Sequence, residues 1–145
     1  MKERMDMSVA FPEGFNAVLS VENALRKSGI DKTLYELVKI RASQINGCSY
    51  CLNMHTRDAR TGGETTQRID NVAAWREAPF YTERERAALA LTESVTLLAS
   101  THVPDDVYDA AAAVFTEKEL AVVIMAITVI NAWNRICVTT RKLPD

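Results

Sequence analysis

The chain has 145 residues, of which 48% are hydrophobic and 25% charged, and its formal net charge is −2 at pH 7. This length and apolar content allow one domain, residues 1–145, with a sizeable core. The basic residues are spread along the chain, which argues against a nucleic-acid partner or a polybasic membrane contact. The mixed charges of residues 1–10 argue against a secretory signal, and three cysteines, an odd number, fit a reducing cytoplasm better than a disulfide scaffold.

Helical segments account for most of the sequence. Only five glycines and four prolines are present, which favours an all-α fold over a β-rich one. The predicted helices are approximately 15–28, 32–46, 48–60, 65–75, 82–99, 104–115 and 116–138. Asp31 is placed to cap the second helix, and Gly47 follows its last residue as a stop signal. Thr82-x-x-Glu85 is a capping box for the fifth helix.

The last predicted helix contains the most apolar stretch of the chain, LAVVIMAITVI (120–130). Its β-branched residues would also suit a buried strand, but the capping box Thr116-x-x-Glu119 favours a helix. The stretch ends at Asn131, short of the roughly 20 residues that a membrane span requires, so we expect no membrane partner. A helix that is apolar on all sides is covered by a core or by another subunit, which makes self-association plausible. We expect Asn131 and Asn134 to tie this helix to its neighbours through hydrogen bonds.

Four reactive side chains occur in the stretch ELVKIRASQINGCSYCLNMH, namely Glu36, Cys48, Cys51 and His55. Residues three, four and seven apart share one face of a helix, so both cysteines and His55 lie on the same side of the third helix. Cysteines in a first helical turn lie near the positive end of the helix dipole, which stabilises a thiolate, and His55 can take the thiol proton. Glu36, on the preceding helix, would orient the imidazole or relay the proton through water. The pattern predicts thiol redox chemistry.

Other interpretations of these residues remain open. The cysteine pair and His55 also offer three ligands for zinc, and Cys137 or Glu36 would supply a fourth. Structural zinc sites usually have a second paired ligand motif, whereas Cys137 stands alone. The apolar stripe of helix 32–46 lies nearly opposite Glu36, which suits a solvated carboxylate. If that helix is covered on two faces instead, the carboxylate needs a partner.

The four residues match the pattern of the alkylhydroperoxidase AhpD-like proteins, part of the carboxymuconolactone decarboxylase superfamily, which this chain resembles. The segments WREAPFYTERERAALA (75–90) and INAWNRI (130–136) look like the peroxidase-related branch, and the resemblance covers roughly residues 11–140. It implies an all-α, single-domain bundle of about six to seven helices that assembles as a homo-oligomer, a trimer or a hexamer. The founding peroxidases carry a histidine next to the second cysteine, where this chain has Tyr50.

Motif and resemblance together predict a cofactor-free thiol peroxidase or disulfide reductase that serves antioxidant defence. Cys51, assisted by His55 and Glu36, would attack a hydroperoxide and become a sulfenic acid. Cys48 would then form a disulfide with it, although the two cysteines could exchange roles. A dithiol reductant, whether a lipoyl protein, a thioredoxin-like protein or a small thiol, would restore the pair. The alternatives are a redox-sensing or zinc-binding module without turnover and a decarboxylase of the same superfamily, whose chemistry needs no cysteine pair.

Overall fold

A computed structural model describes all 145 residues, and the fold is all-helical with no strand. The α-helices are α1 Met7–Ala10, α2 Pro12–Lys27, α3 Lys32–Asn46, α4 Ser49–Thr61, α5 Thr66–Asp70, α6 Glu83–Thr96, α7 Leu98–Thr101, α8 Asp105–Val114 and α9 Glu117–Thr140, with a 3₁₀ helix at Val72–Ala74. The all-α prediction is confirmed. The number of helices exceeds the expected six to seven because α1 and α7, with four residues each, were not predicted.

Local capping explains why the predicted starts of α3, α6 and α9 are accurate. The Asp31 side chain accepts a hydrogen bond from the backbone at the start of α3, and the capping boxes of Thr82 and Thr116 begin α6 and α9. Each such cap is worth about 1 kcal/mol, which is enough to set where a helix begins. The single helix predicted over 65–75 is wrong, because α5 ends at Asp70 and a 3₁₀ turn follows.

Helix α3 is the central element that positions the site. It packs against α4, α6 and α9, while α9 also packs against α2. The largest group of buried apolar side chains lies where α2, α3, α6, α8 and α9 meet. Burying one such leucine, isoleucine or valine is worth roughly 1.5–3 kcal/mol, so this junction fixes the positions of α3 and α9.

Helix α9 was predicted over 116–138 and spans Glu117–Thr140. It has 24 residues, and its most apolar stretch has a mean hydropathy of 1.8, so it could cross a membrane by length and composition. The expectation that this segment is too short for a membrane span is therefore wrong. The core helix of a globular protein meets the same criterion, and 39% of this stretch is buried inside the protein.

The asparagines of α9 join it to α3. Asn46 Nδ2 donates to the Oδ1 atoms of Asn131 and Asn134, each at 2.9 Å. Asn134 in turn donates to Ser43 Oγ at 3.0 Å, and Asn131 donates to Thr96 Oγ1 on α6 at 3.0 Å. The prediction that these residues are interhelical ties is confirmed, and the ties hold α9 against the end of α3 where the cysteines follow.

Candidate redox site

The junction between α3 and α4 brings the two cysteines together. Gly47 ends α3 with a φ of 66°, in the left-handed region that glycine adopts without a steric penalty. Cys48 then caps α4, and its Sγ accepts a hydrogen bond from the Cys51 N–H at 3.3 Å. The Cα atoms of the pair are 5.4 Å apart and their sulfur atoms form a disulfide. Both residues are 1% exposed, so the pair is buried as well as adjacent.

His55 and Glu36 form the second part of the site. His55 Nδ1 lies 2.8 Å from Glu36 Oε2, and their side chains are only 7% and 16% exposed. Glu36 is therefore a partnered carboxylate rather than a solvated one. A carboxylate that accepts from Nδ1 fixes the ring orientation and leaves Nε2 to exchange protons. The Tyr35 ring packs edge-on against the imidazole at a centroid distance of 6.4 Å.

A cavity of about 370 Å³ opens beside these residues. Cys51, His55 and Glu36 line it, but Cys48 does not. Its other walls come from α2, α9 and several of residues 3–8 at the N-terminus. The structure thus brings all four predicted site residues together, and one of the two cysteines lines the cavity.

A buried ion pair adjoins the site and was not predicted. Lys39 is 0% exposed, and its Nζ donates to Glu22 Oε1. Glu22, which lines the cavity, also accepts from the Tyr35 hydroxyl and from Trp133 Nε1, the latter at 3.0 Å. Burial alone would raise the pKa of Glu22, but the charge of Lys39 and these hydrogen bonds hold it below its ordinary value. Burial and the bond to Glu22 both raise the pKa of Tyr35, so its hydroxyl remains a donor.

The spacing of residues along α3 indicates the Lys39 side of this cluster but not its partner Glu22. Lys39 lies three residues after Glu36 and four after Tyr35, so all three share a face of α3. A lysine on the covered face of a central helix requires an anion. Its partner Glu22 lies on another helix, 17 residues away, and no local pattern links the two.

The third cysteine also lies at the site. Cys137, on α9, is a free thiol that is 8% exposed and lines the cavity. Its Sγ and those of Cys48 and Cys51 all lie within 4.8 Å of one another. Burial raises the pKa of the Cys137 thiol to about 11. His55 is outside this group, so the zinc ligand set of the pair with His55 is not assembled, and Cys137 does not stand alone.

Comparison with known proteins places this arrangement in a family. The model of the carboxymuconolactone decarboxylase family matches residues 11–94, the part of the chain that contains Glu36, Cys48, Cys51 and His55. The chain belongs to the carboxymuconolactone decarboxylase family. Cys137 lies outside the matched residues.

Individual proteins resemble this chain to different extents. The uncharacterized protein YdfG of Bacillus subtilis is 42% identical over 138 residues, which is 95% of this chain and 94% of YdfG. Alkyl hydroperoxide reductase AhpD of Maricaulis maris is 38% identical over 47 residues, which is 32% of this chain and 27% of AhpD. The local match to AhpD thus covers less of the chain than the match to YdfG.

A solved structure extends the likeness over the whole fold. It is of an Agrobacterium tumefaciens protein of unknown function, considered a candidate antioxidant defence protein AhpD. The two structures superpose with a TM-score of 0.96 at 41% identity, and the match covers 99% of each chain. This member of the carboxymuconolactone decarboxylase family therefore has the AhpD-like fold.

Proposed function

We propose that this protein is a thiol-dependent hydroperoxide reductase, able also to reduce disulfides, that uses the Cys48–Cys51 pair without a cofactor. One observation carries the proposal: Cys51 lines the 370 Å³ cavity, is bonded to Cys48, and shares the cavity wall with His55 and Glu36. A reducible disulfide, a proton acceptor and a space for a substrate are what this reaction requires.

The first step belongs to Cys51 because it is the cysteine that lines the cavity. In the dithiol form, His55 accepts the Cys51 proton and Glu36 stabilises the imidazolium. The thiolate attacks the terminal oxygen of the hydroperoxide, the O–O bond breaks, and the alkoxide takes the proton from His55 and leaves as an alcohol. The sulfur loses two electrons and becomes a sulfenic acid.

The second step regenerates the disulfide that the structure contains. The Cys48 sulfur attacks the Cys51 sulfur, the S–O bond breaks, and hydroxide leaves as water with the Cys48 proton. A dithiol then returns two electrons and two protons through a mixed disulfide. Both cysteines are 1% exposed, so we expect a donor that is small or carried on a flexible arm, such as a small thiol or a lipoyl protein, rather than a thioredoxin-like protein. The reducing cytoplasm, where we place this protein, supplies such donors.

Hydroperoxide consumption by the purified, reduced protein tests the proposal. With cumene hydroperoxide and dithiothreitol, the wild type should turn over, and Cys51→Ser should consume no more than a blank. Cys48→Ser should keep an oxidisable thiol that forms no intramolecular disulfide. The control is His102→Asn, which changes the other histidine of the chain at a position away from the cavity. A Cys51→Ser variant as active as the wild type would refute the proposal. If the wild-type cysteine pair is oxidised once but does not turn over, a redox sensor is favoured instead.

A further inference from the structure

Three sulfur atoms converge at the N-terminus of α4. Those of Cys48, Cys51 and Cys137 lie within 4.8 Å of one another, and all three residues are buried. The pair comes from α4, whereas Cys137 lies near the end of α9. Apolar residues, among them Ala42 and Ile130, pack around the group. Reduction of the disulfide would therefore leave three thiols in one buried volume.

Three cysteine sulfurs would bind a soft ion that takes three ligands. Thiolates prefer soft ions, and a structural zinc ion would need a fourth ligand. His55 is bonded to Glu36 and lies outside the group, so it does not supply one. With bonds about as long as zinc–thiolate bonds, about 2.3 Å, three sulfurs lie about 4 Å apart around a planar centre and about 3.5 Å apart around a pyramidal one. Cys137 Sγ already lies within 4.8 Å of both sulfurs of the pair, so the site requires the two paired sulfurs to separate after reduction.

Charge decides which soft ion fits. Three thiolates neutralise a trivalent centre, but they leave a net negative charge around a monovalent or divalent ion. An unpaired charge in an apolar interior is costly. Lys142, whose charge acts on Cys137, is already paired with Glu3 at 3.4 Å, so it does not offset such a charge.

We propose that the reduced protein binds one trivalent arsenic atom, supplied as arsenite, through Cys48, Cys51 and Cys137. The three thiols condense with arsenous acid: three As–S bonds form, three As–O bonds break, and each thiol proton leaves with a hydroxide as water. No oxidant is needed and the arsenic stays trivalent. The overall condensation consumes thiols rather than thiolates, so it is compatible with a Cys137 that is protonated at neutral pH. The inference requires the dithiol form but not peroxide turnover.

Binding of two different arsenic compounds distinguishes a site of three thiols from a site of two. Arsenite has three exchangeable positions, whereas phenylarsine oxide has only two and needs only the Cys48–Cys51 pair. The protein is reduced with a phosphine, because a dithiol reductant would itself bind arsenic. Binding is followed by the absorption of the As–S bonds, by native mass spectrometry and by counting the free thiols.

The wild type should bind one arsenic atom from arsenite and lose all three free thiols. Cys137→Ser should weaken arsenite binding by about tenfold or more, the lower range for disturbed metal sites. The same variant should bind phenylarsine oxide as the wild type does, which also shows that it is folded. Equal arsenite affinity in both proteins, or one thiol left free in the wild-type complex, would overturn the inference. If arsenite binds as described but no hydroperoxide is consumed, only the proposed function fails.

Discussion

At the residue scale, the proposed mechanism depends on how His55 is held. Its Nδ1 faces the Glu36 carboxylate at 2.8 Å, and both groups are largely buried. A carboxylate in this position fixes the orientation of the ring and its tautomer, so that Nε2 is the nitrogen that faces a substrate proton. The contact joins α3 to α4, so the orientation of the imidazole is set by the packing of two helices.

We predict that His55→Ala lowers peroxide turnover by about 10²-fold or more, the usual contribution of a general acid–base group. Glu36→Gln keeps the shape of the contact but loses its charge, so we expect a smaller loss of about tenfold. Iodoacetamide labelling of the reduced protein at a series of pH values measures the same effect on the thiol. His102→Asn is the control, and an unchanged labelling profile in His55→Ala would remove His55 from the mechanism.

A second prediction concerns the buried ion pair. Glu22→Gln leaves the Lys39 ammonium buried without an anion, and we expect a loss of about 3–5 kcal/mol in the free energy of unfolding. Urea denaturation measures it. The double variant Glu22→Gln/Lys39→Met removes both charges and should recover most of the loss. A double variant no more stable than Glu22→Gln would show that the pair does not explain the effect.

The Glu22→Gln variant should also change how the stability of the protein depends on pH. The folded-state pKa of Glu22 is held below its ordinary value of 4.5, so the stability it contributes is present above that value. This contribution is lost as the pH falls through the lower folded-state pKa. Between neutral pH and that range, Glu22→Gln should therefore lose less stability on acidification than the wild type does.

At the element scale, the N-terminal segment covers the cavity. The Arg4 N–H donates to the Thr140 carbonyl at 2.8 Å, and its guanidinium donates to the Thr139 carbonyl at 3.0 Å. Glu3 pairs with Lys142 at 3.4 Å. These contacts are few and lie at the surface, so the segment can open at a much lower free-energy cost than global unfolding.

Loosening this segment should expose the reactive thiol. We predict that the double variant Glu3→Ala/Arg4→Ala speeds alkylation of reduced Cys51 several-fold, because local opening controls access to a buried group. Labelling kinetics followed by peptide mass spectrometry measure the rate. Lys2→Ala, at an exposed neighbouring position, is the control. Equal rates in the double variant and the wild type would mean that access to Cys51 does not depend on the segment.

The features predicted from the sequence were those set by neighbours along the chain. The starts of α3, α6 and α9 depend on caps within one turn, and the spacing of Cys48, Cys51 and His55 follows helix periodicity. The covering segment was not predicted, since it is held by residues 135 positions away. The bond from Trp133 to Glu22 spans 111 positions, and nothing in the local pattern of either residue indicates it.

At the scale of the whole molecule, α9 leaves one face uncovered. Leu120, Val123 and Ile127 are buried within the protomer, whereas Met125 is 47% exposed. Ala121, one turn before Met125 on the same side of the helix, is also exposed. The helix is central to the bundle on one side and open on the other. We interpret the exposed Met125 on this open side as a contact for a second protomer.

We predict that the protein is a homo-oligomer, a trimer or a hexamer, that uses this open face of α9. Sedimentation at micromolar concentration should give a multiple of the 16.1 kDa protomer mass. Met125→Glu should shift the equilibrium toward the monomer while the helix content stays the same, because the residue is exposed in the protomer. Val123→Glu is the contrasting variant and should unfold the protein. A wild type that sediments as a monomer would refute the prediction.

The most direct test of the whole account is the fate of the three cysteines after one equivalent of hydroperoxide is added to the reduced protein. The account predicts a mass loss of two hydrogens, a disulfide mapped to the peptide that contains Cys48 and Cys51, and a reduced Cys137. A reduced pair beside an oxidised Cys137, or no oxidation of any cysteine, would contradict it.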